Sequence, residues 1–452
     1  MEVAINKGRF SFRGGVHPAD RKELAQDQAI LPGPIPSQLV VPLSQHIGQV
    51  CRPLVKKGQL VQQGELIADQ DAYVSAPVHA PMAGKVKEVS LQPHPVLGRC
   101  MAVVIEVDQN SVGQADQPQL PADLDLAKYQ PEKIRQDVRN AGLVGMGGAG
   151  FPTHVKLDPN PNRPHDTLIV NGCECEPYIT CDYRLMVERP LKVVVGALLA
   201  AKAWGSRQIY IAIEDNKPKA IQSISNAIRA IGVEGRIEVA VLPTRYPQGG
   251  ERQLIRAVTG RIVPTGGIPP MIGVLVLNVA TASAIADAVV WSRPLTHRIV
   301  TVTGSAVARP ANLEVPIGTP VGQLIDHCSL KHAAARVVLG GPMMGIAIAD
   351  PNTPIIKTTN AIVVLGDHEL RMGQQGPCIR CGRCVDACPE GLNPSLLART
   401  VQQYAWDLAK DNFITACIEC GCCSYVCPAG IELAGYIKTG KAFLARQTSK
   451  KT

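Results

Sequence analysis

Up to residue 125, apolar and polar residues alternate in short runs broken by Gly and Pro. Val55 to Ile67 and Val74 to Val86 are two such runs, with Gly58, Gly64 and Gly84 at the turns. A period of two residues puts successive side chains on opposite faces of a strand, so these runs predict a small all-β sandwich over 1–125. The polar, Pro-rich piece over 109–131 reads as a linker. Beyond it the rhythm lengthens. Helices are expected over 131–140, 184–204, 217–231, 251–258 and 281–291, with β-rich runs at 167–170, 208–213, 237–242 and 273–277. Strands alternating with helices of this length predict a mostly parallel sheet, an α/β domain over 126–296. Residues 297–352 return to β-type sequence around one short helix at 321–326, the pattern of a β-grasp insertion. A last strand is expected over 353–366, and helices over 393–409 and 431–446 surround a cysteine-rich stretch, giving a final domain over 353–452. The expected fold class is multidomain, α/β and α+β.

The chemistry concentrates in that last domain. Cys378, Cys381, Cys384 and Cys388 precede Pro389, and Cys417, Cys420, Cys423 and Cys427 precede Pro428. Each set is the C-x-x-C-x-x-C-x-x-x-C-P run that holds a 4Fe-4S cluster, and in two-cluster ferredoxin folds the fourth Cys of each run ligates the other cluster. One cluster is therefore expected on Cys378, Cys381, Cys384 and Cys427, and the second on Cys417, Cys420, Cys423 and Cys388. Two zinc sites are the alternative reading of paired C-x-x-C, but zinc needs neither the third Cys nor a crossed fourth ligand.

Composition narrows the setting. A length of 452 residues accommodates two to four domains at about 100 to 200 residues each. Fifteen Cys would point to disulfides in a secreted chain, yet the cluster runs absorb most of them and the first ten residues hold no apolar signal core. A reducing compartment is expected. The longest apolar candidate, 274–291, is interrupted by Asn278 and Asp287 and falls short of the about 20 apolar residues of a membrane span. The 46 basic and 38 acidic residues form no stripe, so no nucleic-acid partner is expected. From Arg371 to Thr452 there are 10 basic and 6 acidic side chains, a surplus of 4 that suits anionic clusters or an acidic partner.

The segment from Gly142 to Thr153 contains G-x-G-x-x-G at Gly145, Gly147 and Gly150, with Gly148 between and Phe151-Pro152 at the exit. A dinucleotide fingerprint should follow a strand and open a helix, whereas here a charged helical segment precedes it, and no Gly-Lys-Ser/Thr marks a P-loop. Such a loop supplies backbone N–H groups that approach a phosphate or a planar ring closely. Two further stretches lie at strand ends, where open α/β sheets bind ligands: Asn171-Gly172-Cys173-Glu174-Cys175-Glu176-Pro177 and Tyr246-Pro247-Gln248-Gly249-Gly250-Glu251. Their acids suit ribose hydroxyls or nicotinamide; solvated loop carboxylates are the plainer alternative. Cys173, Cys175 and Cys181 lack the fourth partner of a third metal site and are expected to be buried thiols; Cys422 beside the ligand Cys423 is expected to be an apolar filler at the cluster edge, with an alternative ligand as the other reading.

Two resemblances rest on these residues. The 1–125 module resembles the lipoyl/biotinyl-carrier fold, yet its tip near Asp71 and Ala72 carries no acceptor Lys, so a structural or docking module is expected. The stretches Gly142 to Lys156, Asn171 to Pro177, Tyr246 to Glu251 and Asn278 to Thr281, in this order, resemble the FMN- and NADH-binding motifs of the complex I flavoprotein subunit. With the flanking modules, the chain from Gly8 to Phe443 resembles the RnfC/RsxC family, peripheral subunits of bacterial Rnf ion-translocating ferredoxin:NAD oxidoreductases. The resemblance implies FMN and nucleotide along Gly145, Gly147, Gly148 and Gly150, a ring against Phe151, and phosphate near Lys156. It implies FMN contacts from Asn171, Asn278 and Thr281, and NADH contacts from Glu176 and Glu251, with Glu174, Tyr246 and Gly249 also in the cofactor-binding stretches. The chain departs from the complex I pattern at Cys173, where that has Asp, and at Gly250 and Ala280, where it has Glu. A second aromatic after the Lys is also missing over 157–161.

The implied activity is electron exchange between NAD(H), FMN and two 4Fe-4S clusters, with no side chain acting as acid or base. Membrane-embedded and other Rnf subunits are implied as partners, with ferredoxin a further one, and a peripheral place on the cytoplasmic face of the bacterial inner membrane. Two alternatives stand beside it: a relay and docking subunit without nucleotide oxidation, and the diaphorase arm of a soluble hydrogenase or formate dehydrogenase.

Overall fold

The computed structural model describes residues 5–7, 10–110, 125–370 and 375–449; positions 111–124 of the expected linker, Arg371 and the end of the polar C-terminal run at 450–452 lie outside them. The N-terminal module is a sandwich. Gln38–Pro42, Gly98–Val107, Gly84–His94 and Leu60–Val61 form one antiparallel sheet, and Arg52–Pro53, Leu66–Asp69 and Val78–His79 the other. Alternation closes its core, burying Leu39, Val41, Val103 and Ile105 against Ile67 and Val86. The turn after Asp69, the tip of the carrier-like module, is tied down. Arg139 donates to Asp69 Oδ1 at 2.9 Å and to the Gln70 carbonyl at 3.2 Å, and the Tyr73 hydroxyl donates to Asp158 at 2.6 Å.

In the α/β domain five parallel strands run in the order Ile5–Lys7, Ile237–Leu242, Gln208–Glu214, Thr167–Gly172, Val274–Asn278. The edge strand Ile5–Lys7 comes from the extreme N-terminus, a stretch that the local pattern places with the sandwich. The helix expected over 184–204 is two helices, Cys181–Glu188 and Pro190–Trp204, because Pro190 has no N–H to continue a ladder and fits the first turn of a new helix. Pro190–Trp204 meets Val279–Trp291 so closely that a Cβ on Gly196 would lie 1.7 Å from the Ala282 carbonyl oxygen. That contact fixes Val279–Trp291, whose first turn opens at the carboxyl edge of the sheet.

A mixed sheet follows, ordered Ile346–Ile348, Arg336–Leu339, Ala361–Leu365, His297–Thr303, Ala311–Pro316, Ile30–Pro32. Two of these strands come from outside 297–352. Ala361–Leu365 pairs in parallel with His297–Thr303, and Ile30–Pro32 with Ala311–Pro316. All five residues of Ala361–Leu365 are buried, as an interior strand covered on both faces requires.

The cysteine domain packs Pro394–Gln402 against Leu433–Ser449 over Leu397, Val401, Ile414 and Ile437. The helix expected over 393–409 stops at Gln402 and resumes as Trp406–Asp411, with Tyr404 between them in the left-handed region at φ 55°.

Candidate flavin and iron-sulfur site

The glycine-rich loop sits on the carboxyl edge of the parallel sheet. A bridge between Val144 and Pro152 closes it, with Gly145 N donating to the Phe151 carbonyl at 2.9 Å. Met146 N donates to Thr281 Oγ1 at 3.0 Å, tying the loop to the first turn of Val279–Trp291. A Cβ on Gly147 would lie 2.8 Å from the Asn278 Cβ, so this approach needs glycine. Gly148 faces open space instead, and Gly147, Gly148, Ala149 and Phe151 are exposed. Among the described residues the N–H groups of Gly147, Gly148 and Ala149 meet no acceptor. At the exit Gly150, at φ 72°, packs against Gln45 of the sandwich and Thr358 just before the strand Ala361–Leu365 of the mixed sheet. Free N–H groups on a loop with almost no side chains form a cradle that fits a flavin nucleotide.

Asn171 and Asn278 are direct partners on neighbouring strands. Asn171 Nδ2 donates to the Gly249 carbonyl at 2.9 Å while its Oδ1 accepts from Cys173 N at 3.0 Å. Asn278 Oδ1 accepts from Ala280 N at 2.8 Å, and its Nδ2 donates to Asp182 at 2.6 Å. A Cβ on Gly249 would lie 2.2 Å from the Cys173 carbonyl, so only glycine brings the two loops together there. Lys156 Nζ pairs with Glu251 Oε1 at 3.0 Å. The structure thus brings together the glycine loop, Lys156, Asn171, Gly249, Glu251, Asn278 and Thr281.

Three other residues from the same motifs have internal partners. Both Glu174 oxygens accept N–H groups at the start of Cys181–Glu188, from Asp182 at 2.8 Å and Tyr183 at 3.3 Å, where the helix dipole favours a carboxylate. Glu176 lies under the 340–345 turn: Met343 N donates to its Oε2 and the Tyr246 hydroxyl to its Oε1, both at 3.2 Å. Burial pushes its carboxyl up to about 7. Tyr246 reaches on to the cysteine domain and donates to the Cys420 carbonyl at 2.8 Å. Its one hydroxyl hydrogen serves a single acceptor at a time, and the shorter bond is to Cys420.

Cys388, Cys417, Cys420 and Cys423 line one cavity, with Cys422 among its walls. Cys384, Cys423 and Cys427 share an apolar patch with Ala398 and Leu433, while Cys378 and Cys381 are exposed. Four thiols around one cavity fit a 4Fe-4S cluster, and Cys388 of the first run lies there beside three thiols of the second. Cys422 is fully buried and packs with Tyr246 and Val16. Burial raises the thiols of Cys173, Cys175 and Cys181, and among the described residues the three form no joint metal-ligating group.

Sequence reading missed the joints around this cavity. Glu390 accepts from Gln253 Nε2 at 2.6 Å and pairs with Arg252 at 3.1 Å. Gly15 N donates to the Ala387 carbonyl at 2.9 Å, and a Cβ on Gly14 would lie 2.6 Å from the Cys388 carbonyl carbon. The Gly14-Gly15 pair and the Gly340-Gly341 pair before Met343 were the available signals of such close packing.

Fold and site define a class: an electron-transfer subunit that joins a flavin-binding α/β domain to a pair of iron-sulfur clusters. Family models agree piece by piece. The RnfC barrel sandwich hybrid domain matches residues 10–110, the Nuo51 FMN-binding domain 138–287, the SLBB domain 299–347 and the 4Fe-4S dicluster domain 373–428. The C subunit of the proton-translocating ferredoxin:NAD(+) oxidoreductase complex of Clostridium ljungdahlii is 42% identical over 404 residues, 89% of this chain and 87% of that one. Its counterpart in the Na(+)-translocating ferredoxin:NAD(+) oxidoreductase complex of Acetobacterium woodii is 41% identical over 409 residues, covering 90% and 91%. The C subunit of the ion-translocating oxidoreductase complex of Rhodobacter capsulatus is 43% identical over 388 residues, covering 85% and 74%. The chain belongs to this family of C subunits, and its cofactors are FMN and 4Fe-4S clusters.

Proposed function

We propose that this chain exchanges electrons between NAD(H) and the other subunits of its complex, through FMN on the glycine loop and the two cysteine sets in series. The observation that carries the reading is the contact between the sites: the strand-end loop bearing Gly249 and Glu251 is bonded through Tyr246 to Cys420. When bound, FMN supplies the exchange between a two-electron donor and one-electron clusters. The chain's own work is positioning. The N–H groups of Gly147 to Ala149 hold the flavin, Lys156 offsets phosphate charge, Asn171, Asn278 and Thr281 fix the floor, and Glu251 meets the nucleotide. Cys378, Cys381, Cys384 and Cys427 hold one cluster; Cys417, Cys420, Cys423 and Cys388 hold the other. No side chain moves a proton in the reaction.

The partners in this reading are membrane-embedded and other subunits of the complex, with ferredoxin as a further redox partner, and the chain sits peripherally on the cytoplasmic face of the inner membrane. Among the described residues no helix is long and apolar enough to cross a membrane, which supports attachment through partners. The test is an anaerobic inventory of iron, acid-labile sulfide and flavin per chain, followed by NADH addition. Two clusters, one FMN and bleaching by NADH are expected; a chain with intact clusters that binds no FMN sinks the reading.

A relay reading, clusters without nucleotide oxidation, is favoured by the internal bonding of Glu174 and Glu176. NADH titration separates the two. Weakened binding in Glu251→Ala supports the nucleotide site, and no binding even in wild type supports the relay.

A further inference from the structure

The two cysteine runs are one loop written twice, and among the described residues the chain covers only one copy. Ile379, Arg380, Gly382 and Arg383 stand where the second run has Ile418, Glu419, Gly421 and Cys422. The backbones agree: Arg380 and Glu419 have φ 57° and 58°, Gly382 and Gly421 have 78° and 77°. Each loop opens a short helix, Arg383–Asp386 or Cys422–Tyr425.

The second copy records what this surface does against a redox domain. Ile418 and Met343 both pack against the buried group that holds Tyr246 and Cys422, and a Cβ on Gly421 would lie 2.7 Å from the Met343 carbonyl oxygen. Cys422 is fully buried and Glu419 pairs with Lys441 at 2.6 Å. In the first copy the same positions are bare. Ile379 is 67% exposed, and Cys378, Arg380, Cys381 and Arg383 are exposed with it. Among the described residues neither arginine makes an ion pair.

We propose that the Cys378–Cys381 loop is the docking surface for an acidic, one-electron redox subunit of the same complex. That subunit sits on it as the flavin and β-grasp domains sit on the Cys417–Cys420 loop. This rests on the electron-exchange reading and adds an order to it: the set with Cys417 is the inner cluster, and the set with Cys378 is the outer one. With its cluster bound, the set of Cys378, Cys381, Cys384 and Cys427 would give up one electron and be oxidised, and the partner's centre would take that electron and be reduced. Ile379 provides the apolar centre of the contact, and the two guanidiniums at its rim select carboxylates, which they bond in pairs. The internal copy supports this choice of charge, since the covered loop carries Glu419 and Cys422 and no arginine. A subunit rather than a passing carrier is the occupant, because the internal copy's cover is permanent.

The test uses the whole complex. In Arg380→Glu/Arg383→Glu, electron delivery from this chain to the partner's centre, followed by stopped flow after NADH and expressed per reducible cluster, is expected to fall by about tenfold or more. Arg380→Gln/Arg383→Gln should lie between, and it carries the test if charge reversal disturbs the loop. A photo-crosslinking residue at position 379 should join a cluster- or flavin-bearing subunit through an acidic segment. Wild-type delivery in both double variants, or a crosslink to no subunit or only to added soluble ferredoxin, overturns the proposal. Clusters of the wild-type chain that NADH fails to reduce are a different result, the failure of the electron-exchange reading itself.

Discussion

Glu176 shows how burial changes what a motif residue does. Its position in the Asn171 to Pro177 stretch points to NADH, yet its carboxyl is enclosed by Met343 and Tyr246, and the nearby Lys22 ammonium is turned to the Glu176 and Ile179 carbonyls at 2.9 and 2.6 Å. As the neutral acid it donates to the Tyr246 oxygen while Tyr246 donates to Cys420; as a carboxylate it is a buried charge without a cation bonded to it. Burial raises its pKa from 4.5 to about 7, so between those values the folded chain binds the extra proton. Its contribution is therefore fully present below the unfolded value and is lost as pH rises through about 7, by about 3 kcal/mol at most. Glu176→Gln keeps the neutral shape and should gain about 1–3 kcal/mol at pH 8 and little at pH 5, read as a shift in urea midpoint. A variant less stable than wild type at pH 8 would mean that the carboxylate is ionised and paired. Chemical type was legible here; burial and partner were not, because both come from Met343 and Cys420, which are distant in sequence.

At the scale of elements the glycine loop separates two uses of glycine that its sequence writes alike. Gly147 is needed by the protein, since a Cβ there would press on Asn278; Gly148 faces open space and is needed only if a ligand comes there. Gly147→Ala is expected to cost about 1–3 kcal/mol of stability as well as flavin affinity. Gly148→Ala should leave thermal stability unchanged and weaken FMN binding about tenfold, measured by quenching of flavin fluorescence. Unchanged FMN affinity in Gly148→Ala would move the flavin off this loop. The local elements were largely readable, since alternation and helical spacing found each parallel strand from 167 onward within a residue or two. What they could not reveal was Pro190 restarting a helix inside one apolar run, or which face of the loop would be filled from within.

At the scale of the molecule the modules are stitched by segments whose local pattern carries no address. Ile5–Lys7, Ile30–Pro32 and Ala361–Leu365 complete sheets of other domains, since a short strand pairs wherever the chain delivers it. Lys357 is one stitch, buried and donating to the Pro77 carbonyl at 2.6 Å and the Gly142 carbonyl at 2.7 Å, with its amine pushed down to about 8 by burial. Lys357→Met would leave both carbonyls unpaired and should cost about 2–4 kcal/mol, seen as a lower denaturant midpoint. The cysteine runs make the longest-range claim, because the crossed assignment exchanges a ligand between them. Cys388 lies on the cavity of the second run, while Cys427 lies in one apolar patch with both Cys384 and Cys423. Cys388→Ala should therefore damage the inner cluster, the one next to Tyr246, and spare the outer, while Cys427→Ala should do the reverse. Reduced samples of the two variants should give complementary EPR spectra that together rebuild the wild-type signal. Electrons from NADH should still reach the inner cluster in Cys427→Ala and stall in Cys388→Ala, since in this arrangement the inner set is the one joined to the flavin domain through Tyr246. Loss of the Cys378 set alone in Cys388→Ala would refute both the crossing and the inner-to-outer order built on it.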